Sequence, residues 1–261
     1  MNNKSLCFLV FAYKKVDLTT ACIDSIYRYE PDAQVLFLDN GSQDGSYETI
    51  VKRYASFSAF THYVLEKNLG HAGGLNFLLK KYLSMPSLSD IFVVMDNDAE
   101  LLGSVSQKVE NLFSSNKIGV IGKTGYFFIP DKSGFRLEAL DKASDPPTTV
   151  DTIATYFAAF RREVLHAGLI DKAFEEYLYG GDDFDLCLKI KQDGWDILFD
   201  PSFPIEHVRR GSSSLLGNDF VEEQIVKTNA LLDEKWRKYY PQVLEIEKNK
   251  QRVLSYLRRE E

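Results

Sequence analysis

Four apolar runs of strand length alternate with helical stretches in the first hundred residues, and this rhythm narrows the choice of fold more than any other feature. Residues 5–12 (SLCFLVFA) form the first run. Residues 17–29 then place Leu18, Ala21, Cys22, Ile26 and Tyr29 on one helical stripe, with Asp17 as the expected N-cap. The unit returns as strand 34–38, loop 39–45, helix 46–55, strand 60–66, loop 67–71, helix 72–83 and strand 90–95. Such alternation predicts an α/β fold, a Rossmann-like and mostly parallel sheet flanked by helices on both faces. Ligands of such sheets sit beyond the carboxyl ends of the strands, where the polar loops 39–45 and 67–71 lie.

After residue 100 the spacing loosens. A helix at 104–114, a strand at 117–122 and an extended stretch to Pro130 precede a polar loop at 131–149. A strand at 151–160, helices near 162–167 and 183–192 and strands at 195–199 and 203–207 follow. A Gly/Ser segment and two helices complete the chain. The expected organisation is one domain over 1–215 with a helical extension, 216–261, packed on it through Leu231, Leu232, Trp236, Tyr239, Tyr240, Val243, Leu244, Val253, Leu254 and Leu257. A homo-oligomer formed through these C-terminal helices is a second use for the same apolar face.

With 261 residues, 44% of them apolar, the chain has material for a sizeable core, which excludes disordered and fibrous classes. The net charge of −7 argues against nucleic acid as a partner. Cys7, Cys22 and Cys187 show no metal-ligand spacing and suit a reducing compartment. The longest apolar run near the N-terminus, Leu6 to Tyr13, has 8 residues and is too short to span a bilayer. The expected location is cytoplasmic, with a peripheral position at the inner face of the membrane as a variant. No G-x-G-x-x-G follows the first strand, so a dinucleotide fingerprint is missing.

Five polar groups carry chemistry. Phe92-Val93-Val94-Met95 runs into Asp96-Asn97-Asp98, and on extended backbone the carboxylates at i and i+2 point the same way. That pair is a seat for Mg²⁺ or Mn²⁺, or else an Asp-rich turn. Gly180-Gly181-Asp182-Asp183-Phe184-Asp185 opens a helix; its acids serve the helix dipole or, by mutual repulsion, lift one carboxyl toward general-base range. His207 ends a strand and precedes Arg209 and Arg210, a pattern suited to a metal ligand followed by phosphate-binding guanidiniums. Asn68-Leu69-Gly70-His71-Ala72-Gly73-Gly74-Leu75-Asn76 allows close backbone approach to an anion. Asp39-Asn40-Gly41-Ser42-Gln43-Asp44-Gly45 is a turn whose first carboxylate can accept from a ribose or a base N–H. His62, His71 and His166 show no partner pattern and read as structural or surface residues.

In this order the five groups resemble glycosyltransferase family 2, inverting enzymes of the GT-A fold that use nucleotide-sugar donors. The resemblance spans about residues 5–210. It implies that Asp183 is the general base, supported by Asp182. Asp98 would coordinate a divalent ion, Mn²⁺ or Mg²⁺, with His207 as a further ligand. Donor contacts would come from Ala12, Tyr13, Asp39 (to the base), Asn68, Gly73, Gly74, Asn76, Asp96 (to the ribose or diphosphate), Asn97, Arg209 and Arg210. Residues 208–216 would form a loop that closes over the diphosphate. The acceptor would be a saccharide or lipid-linked hydroxyl, in cell-surface polysaccharide or glycoconjugate synthesis. Three positions depart from the pattern: Ala12-Tyr13-Lys14-Lys15 stands for Thr-Tyr-Asn-Arg, Asp182 for Glu, and Lys189 for Arg.

Two other readings use the same residues. A haloacid-dehalogenase-type Mg²⁺-dependent phosphatase also ends a strand in D-x-D, but Ala99-Glu100 follows here where a Thr is needed, and the later acids are spaced differently. A non-catalytic nucleotide-sugar-binding protein would keep the fold without needing a base.

Overall fold

The structure, a computed structural model, describes residues 5–131, 134–140, 142–208 and 211–247. The first half follows the strand–helix rhythm: β1 (Cys7–Ala12), α1 (Val16–Tyr29), β2 (Gln34–Asp39), α2 (Ser46–Tyr54), β3 (Phe60–Val64), α3 (Gly70–Leu83) and β4 (Ile91–Asp96). β1 pairs in parallel with β2 and β4, and β2 with β3. All six residues of β1 are buried because helices cover both faces of the sheet. Cys7, Leu9 and Phe11 pack with Leu75, Leu78 and Leu79 of α3, while Phe8 and Val10 pack with Cys22, Ile23 and Ile26 of α1.

Beyond β4 come β5 (Ala99–Leu101), α4 (Ser106–Leu112), β6 (Ile118–Gly122), β7 (Gly125–Asp131), β8 (Gly134–Leu140), β9 (Thr148–Val150), β10 (Thr152–Ile153), β11 (Phe157–Arg161), α5 (Asp182–Gln192), β12 (Asp196–Phe199), β13 (Ile205–His207) and α6 (Asn218–Trp236). The central sheet has eight strands in the order β3-β2-β1-β4-β11-β6-β12-β9. It is mostly parallel, with β11 antiparallel to both neighbours and β9 antiparallel to β12. β10, β7 and β8 form a separate three-stranded sheet, and β5 pairs with β13.

Four sequence expectations need correction. The region expected to be a polar loop, 131–149, contains β8, which lacks the apolar run of a core strand because only Leu140 of its residues is fully buried. The single strand expected at 151–160 is two, because Thr152–Ile153 pairs with β7 whereas Phe157–Arg161 joins the central sheet, and one straight strand cannot serve both. The last expected strand, 203–207, is confined to Ile205–His207, and it pairs with β5, a three-residue strand that the sequence reading did not expect. α1 starts at Val16 rather than after Asp17, since Lys14 and Lys15 take left-handed backbone (φ 60° and 58°) that turns the chain from strand into helix.

α6 closes the fold. Leu232 and Trp236, with Tyr240, Val243 and Leu244 after them, join the buried cluster that holds Leu186, Cys187, Leu188 and Ile190 of α5. The Trp236 indole N–H donates to Asp185 Oδ1 at 2.8 Å, and Lys235 Nζ stands 2.7 Å from the same oxygen. Val253, Leu254 and Leu257 lie outside the described residues. No described helix is long and apolar enough to cross a membrane.

Trp236→Ala is expected to cost about 3–5 kcal/mol, the usual loss for truncating a buried aromatic. Trp236→Phe, which removes chiefly the hydrogen bond, should cost about 1 kcal/mol. Urea midpoints ordered this way support the account; equal midpoints for both variants and the parent contradict it.

Candidate active site

The carboxyl ends of β1 and β4 open onto a cavity of about 590 Å³. The register of β5 against β13 sets His207 opposite Ala99, which brings its imidazole to Asp98: Nε2 lies 3.2 Å from Oδ1. Tyr156 stacks on the other side of that ring, with centroids 4.2 Å apart and planes 8° apart. The Asp98 carbonyl accepts from Val208 N at 2.9 Å, and Asn97 Nδ2 donates to Thr19 Oγ1 of α1 at 2.9 Å, so the triplet is fixed on both sides. Gly211 lies so close to Asp98 that an added Cβ would stand 2.6 Å from Oδ2. A side chain at this position would displace the Asp98 carboxylate. Burial works to raise the Asp98 carboxyl, but hydrogen bonding and charge from His207, with the Gly211 N–H, hold it below the usual carboxylate range.

One ligand atom each from Asp96, Asp98 and His207 lies within 4.8 Å of the others. Asp96 Oδ1 is buried without a hydrogen-bond partner, its nearest cation being His71 Nε2 at 3.6 Å, beyond hydrogen-bond length. Two carboxylates and an imidazole around an unsatisfied buried oxygen fit a divalent cation.

The second half of the site is the start of α5. Gly181 has φ 78°, and a Cβ on it would meet the Phe174 ring at 2.8 Å. This turn delivers Asp182 and Asp183 into the cavity. Asp182 is buried and bonds His71 Nδ1, whose ring also faces Asp96. Burial opposes the charged ring of His71, yet Asp182 and Asp96 outweigh it and hold the imidazolium well above the ordinary histidine range. Asp183 accepts from Phe184 N at 3.0 Å. Burial, then the charge of Asp182, raise its carboxyl to about 7 against the opposing pull of His71.

The cavity wall therefore holds Tyr13, Asn68, Asp96, Asn97, Asp98, Asp182, Asp183 and His207 together, drawn from segments far apart in the chain. The other expected donor contacts stand apart from this wall. Ala12 is buried in β1 between Phe11 and Tyr13, which do line the cavity. Gly73 and Gly74 face Leu69 and the Asn40 amide inside the fold. Asn76 is buried and engaged with Ile170 and Glu175, bracing α3. Asp39 opens on a smaller adjoining recess with Gln43 and Tyr47; its Oδ1 accepts from Ser42 N at 2.7 Å, while the buried Oδ2 has no partner. Arg209 and Arg210 lie outside the described residues.

His71, read from the sequence as structural or surface, lines the cavity and bonds Asp182. Its partner Asp182 is 111 positions away, so no local pattern marks it. The available signal was its place beside Gly70 at the opening of α3, in a loop at the ligand-binding edge of the sheet.

Glycosyl transferase family 2 matches residues 7–169, more than half the chain. The chain belongs to this family. No curated protein matches it. Among solved structures it resembles the mannosyltransferase PcManGT from Pyrobaculum calidifontis in complex with GDP-Man and Mn²⁺, at TM-score 0.59 and 20% identity over 81% of this chain. It also resembles GalNAc-T7 with UDP, GalNAc and Mn²⁺, at TM-score 0.70 and 15% identity over 90% of this chain. It spans 59% and 49% of those chains, and the likeness establishes the GT-A type of fold. The family-matched segment carries β1 to β4 and the Asp96-Asn97-Asp98 triplet; α5, with Asp182 and Asp183, and His207 lie beyond it.

In a carbon-13 NMR titration the Asp183 carboxyl should have its midpoint near 7. His71→Gln removes the positive charge that favours ionisation and should move that midpoint alkaline. A midpoint that stays put, or moves acid, contradicts this reading of His71.

Proposed function

We propose that this chain is a metal-dependent inverting glycosyltransferase that moves a sugar from a nucleoside-diphosphate sugar to an acceptor hydroxyl. The observation that carries the reading is the convergence of the Asp96, Asp98 and His207 cluster and Asp183 on one cavity. Asp98, His207 and Asp96 would hold the divalent ion, which when bound neutralises charge on the departing diphosphate. The imidazole in this donor set favours Mn²⁺ over the harder Mg²⁺. Asp39, with its buried unpartnered oxygen, is suited to a base N–H, and Tyr13 and Asn68 of the main cavity are further candidate donor contacts. Arg209 and Arg210 follow His207 after one intervening residue, Val208, and are assigned to the diphosphate.

The allocation of carboxylates supports a single displacement. Asp96 and Asp98 belong to the metal cluster and Asp182 is engaged by His71. Asp183 is left with a carboxyl poised near neutrality, suited to removing the acceptor proton. The acceptor oxygen forms its bond to the anomeric carbon as that proton passes to Asp183, and the bond to the diphosphate breaks with its electron pair on the leaving oxygen. Attack opposite the leaving group inverts the anomeric centre; retention by double displacement would call for a second uncommitted carboxylate as nucleophile.

Asp183→Asn should keep nucleotide affinity and lose about 10²–10⁴-fold in transfer rate, the usual contribution of a positioned base. Since the base acts when deprotonated, kcat/KM for the parent should rise as pH increases through about 7. Parent-like transfer by Asp183→Asn, or a rate that falls over that interval, removes Asp183 from this role.

A further inference from the structure

Of the three side chains around the candidate metal position, His207 is the one least supported by its own strand. β13 has three residues, and its two-stranded sheet is completed by β5, equally short. A histidine that ligates a metal is usually oriented by a hydrogen bond on its other ring nitrogen. Nε2 of His207 faces Asp98, and among the described residues Nδ1 has no hydrogen-bond partner. The torsion that turns an imidazole about its Cβ is broad and soft, so a ring without such a bond has no fixed plane of its own.

Tyr156 stands where that restraint is needed. It occupies the step between β10 and β11, where the chain leaves the three-stranded sheet for the central one. Antiparallel pairing of Phe157 with Met95 brings Tyr156 beside Asp96, whose N–H donates to the Tyr156 carbonyl at 3.1 Å. The Tyr156 ring lies nearly parallel to that of His207, 8° apart in plane and 4.2 Å between centroids, and its hydroxyl is hydrogen-bonded to that of Thr124 at 2.8 Å. One residue thus touches the Asp96 segment through its backbone and His207 through its ring. Lys123, next to Thr124, donates to the carbonyls of Phe203 (2.9 Å) and Ile205, which ties the approach to β13 onto the same corner.

We infer that Tyr156 is a positioning residue of the metal site: its ring holds the His207 imidazole in the plane that turns Nε2 toward Asp98, and its carbonyl ties that ring to the end of β4. The inference rests on the metal-binding reading above. A flat contact restrains rotation about the imidazole's Cβ, because turning the ring out of parallel drives its edge into the neighbouring face. With the ring already held, the ion meets an ordered ligand and no side-chain freedom is lost on binding. The Thr124 bond steadies the tyrosine from its far end and is secondary to the stack. A phenyl ring at position 156 would supply the same flat contact, whereas a branched aliphatic side chain would not.

The test titrates Mn²⁺ alone into the full chain and counts the free ion by electron paramagnetic resonance. Tyr156→Leu should weaken Mn²⁺ binding about 10–100-fold, the usual effect of removing a group that orients a metal ligand. Tyr156→Phe should bind the ion as the parent does. Proton NMR of the metal-free chain at one fixed pH gives a second readout: the tyrosine ring current should hold the His207 ring protons upfield in the parent and in Tyr156→Phe, and release them in Tyr156→Leu. Parent-like Mn²⁺ affinity in Tyr156→Leu, or an equal loss in both variants, overturns the inference and leaves the metal-binding reading standing. Should Tyr156→Leu fail to fold, the parent spectrum decides, since His207 ring protons at the free-histidine position also overturn it. Absence of Mn²⁺ binding by the parent strikes the metal-binding reading itself, and this inference with it.

Discussion

Four carboxylates share one cavity at the rim of an apolar sheet, and the placement of positive charge among them is the constraint on which the site depends. Asp96, Asp98, Asp182 and Asp183 would repel strongly in a half-buried setting if left unbalanced. Two imidazoles divide them: His207 faces Asp98, and His71 is bonded to Asp182 with Asp96 on its far side. The balance is deliberately incomplete in chemical effect. Asp183 carries no cation of its own and is pushed toward neutral range, and one Asp96 oxygen stays buried without a partner. Those two unsatisfied positions are where the proposed function puts a proton and a divalent ion.

The scaffold explains how such a cluster is tolerated. β1, buried on both faces and paired in parallel on both sides, gives the site a stiff floor. The short β5–β13 pairing is the device that carries His207 to Asp98, and α6 secures the far side through Gln224, Thr228 and the Trp236–Asp185 bond. Removing one partner from a buried charged set leaves the other uncompensated, which is why these supports matter as much as the acids they position.

The sequence made the first half of the fold readable because β1, β2 and β4 are uninterrupted apolar runs and helices α1 to α3 carry clear apolar stripes. It was less informative where pairing is short or two-sided. β5, with three residues, is below the length at which alternation can register, and β8 reads as polar because most of its residues are only half-buried or exposed. The acids of the site were legible because carboxylates at a strand end or helix start are locally conspicuous. His71 was not, since its meaning depends on Asp182 arriving from a distant segment. Gly73, Gly74 and Asn76 read as an anion cradle because a Gly-rich stretch stands at a helix start, and in the structure they are engaged in the packing of α3.

The central claim is that Asp96, Asp98 and His207 bind a divalent ion that in turn holds a nucleoside diphosphate. Calorimetric titration of UDP and GDP into the full chain, with and without Mn²⁺, tests it most directly when repeated on Asp98→Ala. The account predicts nucleotide binding that requires Mn²⁺ in the parent and is lost in the variant. Equal affinity with and without the ion, or a variant that binds as the parent does, would contradict it.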